Sequence, residues 1–596
     1  MYRRHFCFCV LIAYSVVIAL PAVAQNSSLG YVAKLGVDVD VRSALRMLAD
    51  DILSGNVVLP ELGTPIVGVP AVPQIQLRGG NQQVSDAALD YVQIFAGFRP
   101  FVHAVQSEVS AAAFGRNVVV TYNNSAGFHV APNPNGPGLV LDRSLFSGYS
   151  VSNDGGQTWM SAHMPLAPDG TETLGDPSVG VDRLGNFYFA GGGVTTEIVG
   201  TNQVNTVTIQ VNQSTDGGNT FGQAVVVQKD NGADKPWLAV GPDPVFKSRD
   251  NVYVTWTSFQ FGACELRFGR SKDRGVTWTS KTIFVPTPDS NPTHPQNCLQ
   301  YSNPVVDSIT GTLYVPFLRF SNSDQDFIQM LISNDGGETF RFATFNFAGA
   351  PDATVMPVTQ PGALTSCGGG NIRLTIHTAA NPGPGTAGFP RYINATRLTL
   401  QPALAARNDR LYLAWNNSTS LIYGDQTSQS NILFMSSENG GQTWTPPIVV
   451  NPLLERDIQH VLPALAIDND PNDVHITYYT QHSNGTVDLD MANSHDAGAS
   501  FPPDRTARVT STSFDLPPSN IPLSNAPTFG ATNYDRLVAV CYALGEYQSV
   551  TTANGNVYAA WGDARNLFTE PVNALNPISG QTHAEQDVFF QQLKAQ

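Results

Sequence analysis

Charge is scarce in this chain: only 13% of its 596 residues are Asp, Glu, Lys or Arg, roughly half the share of an ordinary soluble protein. Long solvated helices, which draw on those residues, are disfavoured by that shortage. The basic residues are the scarcer kind, 32 against 48 acidic ones, for a net charge of −16. That balance argues against nucleic acid or an anionic membrane as partner, because both call for a basic surface. Cysteine is also rare. Two of the six, Cys7 and Cys9, fall in the first apolar stretch, and the rest are Cys264, Cys298, Cys367 and Cys541. None of these four forms a Cys-x-x-Cys pair, so a zinc site is not indicated. In an oxidising compartment one or two disulfides fit, with Cys264–Cys298, the closest in sequence, as the favoured pair. The eleven histidines show no metal-ligand spacing. There is no G-x-S-x-G, no phosphate loop and no dinucleotide fingerprint.

Long apolar runs are missing as well, apart from the start of the chain. Arg3 and Arg4 precede an apolar run from Phe6 to Leu20, and Ala22-Val23-Ala24 offers the small residues of a cleavage site. Residues 1–24 read as a signal peptide with cleavage before Gln25. No lipobox cysteine stands at that point, and no later stretch approaches the ~20 apolar residues of a membrane span. The expected product is secreted, extracellular or periplasmic, with no membrane span.

Turn formers and repeats are what the chain has in quantity. It holds 52 Gly and 41 Pro, a composition that favours many short strands. The string S-x-D-x-G-x-T-[W/F] recurs at Ser152–Trp159, Ser214–Phe221, Ser271–Trp278 and Ser333–Phe340. Two altered copies follow, Ser437–Trp444 with Asn439 in the Asp position and Ser494–Phe501 with Ser500 in the Thr position. The intervals between first serines are 62, 57, 62, 104 and 57 residues, so a unit of about 60 residues repeats with one large insertion. A tight turn leaves backbone N–H groups that an Asp carboxylate and a Ser hydroxyl can accept from, and Gly takes a positive φ at no steric cost. Asp154, Asp216, Asp273, Asp335, Asn439 and Asp496 are therefore read as structural turn residues and not as catalysts.

A second pattern precedes each turn. A polar residue, often followed by Pro, opens a run of alternating small apolar residues; after a turn comes a string such as Asn251-Val-Tyr-Val-Thr-Trp256. Seven copies can be read, opening at Glu108, Asp176, Asp234 with Lys235, Asn303, Gln401, Leu462, and Glu546 with Tyr547. An all-β fold follows, and a β-propeller of seven four-stranded blades, or six plus an irregular sheet, is its best architecture. The repeated turn would join strands three and four of most blades. The last blade lacks that turn; its third strand is placed at Gln586–Gln592 and its fourth in the N-terminal segment, at Pro73–Arg78. The domain reading is then an N-terminal segment over 25–105, with a short helix at Val41–Ile52 and a linker at Pro60–Pro73, followed by the propeller over 106–596 with an insertion at about 352–397.

The repeated turns resemble the Asp-box, or BNR, repeats of the sialidase superfamily, over about residues 106–593. Blade-opening strings such as Gly175-Asp176-Pro177-Ser178 also resemble those of bacterial secreted sialidase-like proteins. The resemblance implies the propeller fold and, in true sialidases, three arginines that clamp the substrate carboxylate, a Tyr nucleophile activated by a Glu, and an Asp acid/base. Their first arginine lies in an F/Y-R-I-P string, for which this chain offers Phe98-Arg99-Pro100 without the Ile. Arg319 and Arg565, each just after a second strand, stand as the other two candidates.

First strands of a propeller line its channel, so their opening residues are the site candidates. Glu108, Asp176, Asp234, Glu546 and Tyr547 are the catalytic candidates, with Tyr542 as an alternative phenol. Lys235, Arg319, Asp563, Arg565 and Arg99 are the substrate-binding ones. Crowded carboxylates raise one another's pKa and can supply an acid and a base for glycoside cleavage. The expected function is a secreted sialidase-like glycoside hydrolase or related carbohydrate-active enzyme. The alternative is a non-catalytic propeller that binds a glycan or protein. No cofactor is implied. The acidic turn Asp468–Asp473 reads first as solvated, with structural calcium as the alternative. The sequence does not specify an oligomeric state.

Overall fold

The computed structural model describes residues 74–75, 80–85, 93–94, 106–358, 401–515 and 546–594, with gaps at 125–127, 133–138, 201, 260–263, 288–294, 322–325, 348–349, 420–428, 453–456, 484–485 and 570–581. The signal peptide, the helix and linker expected in the N-terminal segment, Arg99, Cys367, Cys541, Tyr542 and most of the insertion at 352–397 lie outside the described residues.

Within them the regular secondary structure is strand, apart from a single 3-10 turn at Pro503–Arg505. Antiparallel meanders follow one another along the sequence. The first sheet runs Gln106–Phe114, Asn117–Asn124, Ser147–Ser152 and Thr158–His163 from inside to outside. The second is Gly170–Val181, Phe187–Val199, Asn202–Ser214 and Val225–Lys229; the third is Ala233–Pro242, Asp250–Ser258, Glu265–Ser271 and Thr279–Phe284. The fourth is built on Leu313–Ser321 and Asp326–Ser333, with Pro295–Gln300 and Val305–Val306 sharing the inner position. Two further meanders, 403–449 and 457–515, are joined into one nine-stranded sheet by a single parallel bridge, Ser430 to Gln459. The last sheet is Ser549–Ala553, Asn556–Thr569 and Thr582–Lys594, completed by Gln82–Gln83. The described sheets of four or more strands therefore number six, because two of the sequence repeats share one sheet.

The core is a series of layers between successive sheets. Ala112 and Val119 of the first sheet pack on Phe187 and Phe189 of the second, and Tyr188 and Val211 of the second on Leu238 and Trp256 of the third. The series continues around to Tyr479 and Leu489 against Trp561 and Phe589. It closes where Tyr122 and Trp159 of the first sheet meet Tyr558 and Phe590 of the last. A ring of sheets each packed on two neighbours is a β-propeller. This arrangement also explains a departure from simple alternation. In second strands such as Asn251–Ser258 every side chain is buried, because both faces of the sheet are covered.

The ring is closed by the N-terminal segment, but not with the residues expected from sequence. Gln82 and Gln83, rather than Pro73–Arg78, pair with Phe590 and Phe589. Gln74–Ile75 instead runs along the outer edge of the first sheet, opposite Trp159 and Thr158. Side chains fix the choice. Asn81 donates to Val509 O at 2.8 Å and to Gln591 Oε1 at 3.1 Å, and Ser150 and Ser161 of the first sheet both donate to Val84 O, at 2.7 and 2.9 Å. Six residues thus touch three sheets, which a plain strand pattern does not reveal.

Each repeated turn is held by the same bonds. In the first, Ser152 Oγ donates to Asp154 Oδ1 at 2.8 Å and accepts from Gly156 N at 2.8 Å. Asp154 also accepts from Thr158 N at 2.9 Å and Thr158 Oγ1 at 2.7 Å. Gly156 has φ near 89°, and a Cβ there would meet the Phe590 ring at 2.2 Å, so only glycine fits. Asn439 keeps the pattern with the last bond reversed: its amide donates to Thr443 Oγ1 at 2.8 Å.

These bonds make the turns pH-dependent. Burial acts to raise the carboxyls of Asp154, Asp216, Asp273, Asp335 and Asp496, but the hydrogen bonds from Thr or Ser and the backbone outweigh it and hold them below the usual 3.8. A depressed folded value contributes stability above the unfolded pKa of about 3.9, which is lost as pH falls through the folded one. In Asp273→Asn the amide can hold the turn, as Asn439 does, without that ionisation. Melting temperatures should therefore lie below wild type at pH 7, with the gap closing as pH falls below about 4.

Candidate functional site: an ion cluster between the inner strands

The inner positions of five sheets share a local distortion. Glu108, Asp176, Lys235, Tyr301 and Leu462 all have positive φ, between 50° and 58°. Around four of them the ladder to the second strand skips, between Ser107 and Ser110, Gly175 and Ser178, Asp234 and Trp237, and Val461 and Ala464. A non-glycine residue in this conformation costs on the order of 1–3 kcal/mol and persists only where its surroundings fix it. The bulge re-aims one side chain per sheet.

The re-aimed side chains meet. Lys235 Nζ lies 2.7 Å from Glu108 Oε1 and 3.0 Å from Asp176 Oδ1, and it also pairs with Glu546 Oε2. Two of the remaining carboxylate oxygens are used as well. Asn123 Nδ2 donates to Glu108 Oε2 at 2.9 Å, and the Tyr301 hydroxyl donates to Glu546 Oε1 at 2.9 Å. Asn123 Oδ1 in turn accepts from Asp176 N at 2.9 Å. One ammonium is thus shared by carboxylates of the first, second and last sheets, with the fourth joined through Tyr301. All these charged side chains are buried, Glu108 and Glu546 to within 1% of complete.

The neighbouring candidates are placed differently. Tyr547 lies beside the cluster, its ring 6.0 Å from Lys235 Nζ. Its hydroxyl donates to Pro177 O at 3.0 Å, and its ring meets Trp237 edge-on at 4.7 Å. Burial, then the charges of Glu108 and Asp176, push the phenol well above its usual value, so it stays protonated. Asp234 is turned aside to accept from Gln300 Nε2 at 2.6 Å. Arg319 donates to Gln329 Oε1 at 2.7 Å and lies over the Phe284 ring at 5.0 Å, between outer strands; burial lowers its guanidinium to about 10. Asp563 and Arg565 form an ion pair in which Asp563 also accepts from Trp561 Nε1 at 2.9 Å. Arg565 reaches Asn81 Oδ1 and Ser511 Oγ, each at 2.8 Å, so this pair anchors the closing segment. In the Asp468–Asp473 turn, Asp468 and Asp470 accept from the backbone of Asn469 and Asn472, at 2.7 and 2.9 Å.

No family model and no curated protein matches the chain. Solved structures similar to it are sialidases. A Hadza microbial sialidase, Hz136, is 12% identical over 75% of this chain and 79% of its own, with a TM-score of 0.36. The NanB sialidase of Streptococcus pneumoniae is 11% identical over 87% and 71%, with a TM-score of 0.36. The Trypanosoma rangeli sialidase is 10% identical over 87% of this chain and 59% of its own, with a TM-score of 0.34.

Two members of the cluster, Tyr301 and Asn123, escape a reading of the sequence. Repeats align on their proline, which puts Asn303 in the opening position of the fourth sheet. The inner strand is broken there, and the bulge residue is Tyr301, three places before Pro304. In the first two sheets a serine stands two places after the bulge residue, and Ser110 and Ser178 each accept the backbone N–H of the next sheet's inner strand, from Val179 at 3.1 Å and Leu238 at 3.0 Å; two places after Tyr301 stands Asn303, so that signal does not mark it.

Lys235→Met removes the shared cation and leaves three buried carboxylates facing one another. Breaking a buried ion pair from one side costs about 3–5 kcal/mol. The variant should melt well below wild type at pH 8, and the deficit should shrink at pH 4, because protonating a carboxylate relieves the repulsion. A deficit equal at both pH values would show that the carboxylates do not depend on Lys235.

Proposed function

We propose that this chain is a secreted, seven-bladed sialidase-like propeller that binds a glycan-bearing ligand at the mouth of its ring without hydrolysing it. The count of seven takes the nine-stranded sheet as two blades, each a complete meander. The observation that carries the non-catalytic reading is the burial of Glu108, Asp176 and Glu546 around one lysine. A glycosidase acid must reach the glycosidic oxygen and its partner the anomeric carbon; here those oxygens are occupied by Lys235, Asn123 and Tyr301. In this reading the cluster is a structural pin and recognition falls to the connections above it. The second-to-third and fourth-to-first connections leave from the end of the ring where the cluster lies, and loops on a rigid scaffold are where binding concentrates. Secretion is supported by the pattern of residues 1–24 and by the disulfide bond of Cys264, for which Cys298 is the proposed partner. Among the described residues no helix is long and apolar enough to cross a membrane.

One contact favours the second reading, a glycoside hydrolase. The Tyr301 hydroxyl donates to Glu546, which is the pairing of a phenol nucleophile with the carboxylate that takes its proton. Asp176 or Glu108 would then be the acid/base.

A panel of aryl glycosides, sialosides included, separates the two. The binding reading expects no turnover by wild type, Glu546→Gln or Tyr301→Phe, and retention of specific glycans on an array by the folded wild type. Turnover by wild type that falls at least about a hundredfold in Glu546→Gln would establish the enzyme instead.

A further inference from the structure

A second cleft lies far from the cluster, at the seam where the ring closes. It has a volume of about 300 Å³ and is lined by Gly80 and Gln82 of the closing segment, Phe590, Gln591 and Gln592 of the last sheet, and Gly156 and Gln157 of the first repeated turn. It sits on the turn-bearing side of the ring, opposite the mouth.

Its chemistry is specific in one respect: it is lined by four primary amides and no charged side chain. The amides are held in orientation by the protein. Gln82 Oε1 accepts from Trp159 Nε1 at 3.2 Å, Gln157 Nε2 donates to Asp154 O at 3.2 Å, and Gln592 Nε2 donates to Asn556 Oδ1 at 2.9 Å. Each bond uses one end of its amide. Gln82 Nε2 is left as a donor, and Gln157 Oε1 and Gln592 Oε1 as acceptors, around a cleft floored by the edge of the Phe590 ring. Fixed neutral donors and acceptors of both kinds suit a ligand whose own groups both donate and accept, as sugar hydroxyls do. A carboxylate or phosphate would find no cation, and an apolar ligand would strand the amides. Two glycines keep the space open: a Cβ on Gly80 would have nothing within 4 Å, and Gly156 cannot carry one.

We propose that this seam cleft is a binding subsite for a neutral sugar ring, distinct from the mouth. It does not depend on what the mouth does. Because one wall is the closing segment, the site exists only in the closed ring, and ligand should stabilise the closure.

The test is titration of the full chain with neutral oligosaccharides, such as maltose, cellobiose and chitobiose series, followed by calorimetry and thermal shift. Wild type should bind at least one series and melt higher with it. Gly80→Leu adds bulk to the cleft wall at a position where a Cβ meets nothing within 4 Å, and it should abolish this binding while the chain still folds. Gln592→Ala should weaken binding about three- to tenfold, and Ile198→Ser, an exposed change on the second-to-third connection at the mouth side, should leave it unchanged. The proposal is overturned if no neutral sugar binds, if binding survives Gly80→Leu, or if it is lost in Ile198→Ser, which would assign the sugar to the mouth instead.

Discussion

The closed ring depends on one constraint: a single ammonium must satisfy carboxylates delivered by three different sheets. Lys235 comes from the third sheet, and its partners from the first, second and last. Since burying ions costs several kcal/mol apiece, the cluster holds only where its charges are paired and hydrogen-bonded. That requirement reaches outward. It fixes Asn123, which serves Glu108 with its amide and the Asp176 backbone with its carbonyl. It fixes Tyr301, and it accounts for the left-handed backbone at Glu108, Asp176, Lys235 and Tyr301, since each must turn its side chain inward from a strand. The effect on stability of such a cluster is small or negative compared with an apolar core. What it confers is register: a sheet shifted by one place would bury a charge with no partner.

The second demand is closure at the rim. A ring whose ends meet only at the axis would leave the outer strand of the last sheet unpaired, exposing an edge. Residues 80–85 meet that demand with few backbone bonds and many side-chain ones. Asn81 bridges two sheets and receives Arg565, while Val84 O takes hydroxyls from Ser150 and Ser161. The Asp563–Arg565 pair belongs to this seam. Burial raises the Asp563 carboxyl, and Arg565, Trp561 and the backbone act against it. An Asp and Arg at the end of a channel-side strand look like a substrate clamp in sequence; their partners show a fastening.

How much of this was legible in the sequence follows from the range of each interaction. The repeated turn was legible in full, since Ser152, Asp154, Gly156 and Thr158 bond within seven residues of one another. The meander and the all-β class followed from it. The convergence of Glu108, Asp176, Lys235 and Glu546 was legible as a position in the repeat, though not as an ion cluster, because which openings point inward depends on bulges that pairing with the second strand reveals. The Pro73–Arg78 placement failed for a related reason. An apolar alternation suits any edge, and the true choice rests on Asn81 and Ser85, polar residues whose partners lie more than 400 positions away. The contacts of Arg319 with Phe284 and Gln329 were not legible, because they join residues of two sheets and of two strands that the repeat does not align.

The two ends of the ring therefore differ in kind. At the mouth the charged groups Glu108, Asp176, Lys235 and Glu546 are spent on one another. At the seam the ion pair Asp563–Arg565 is spent on the closing segment, while the side chains that line the cleft are neutral, Gln82, Gln157 and Gln592 each with one amide end bonded. Charge buried at the axis holds the sheets in order, and uncharged amides at the seam stay open to solvent. A protein with so few charged residues has placed several of them where they cannot meet a ligand.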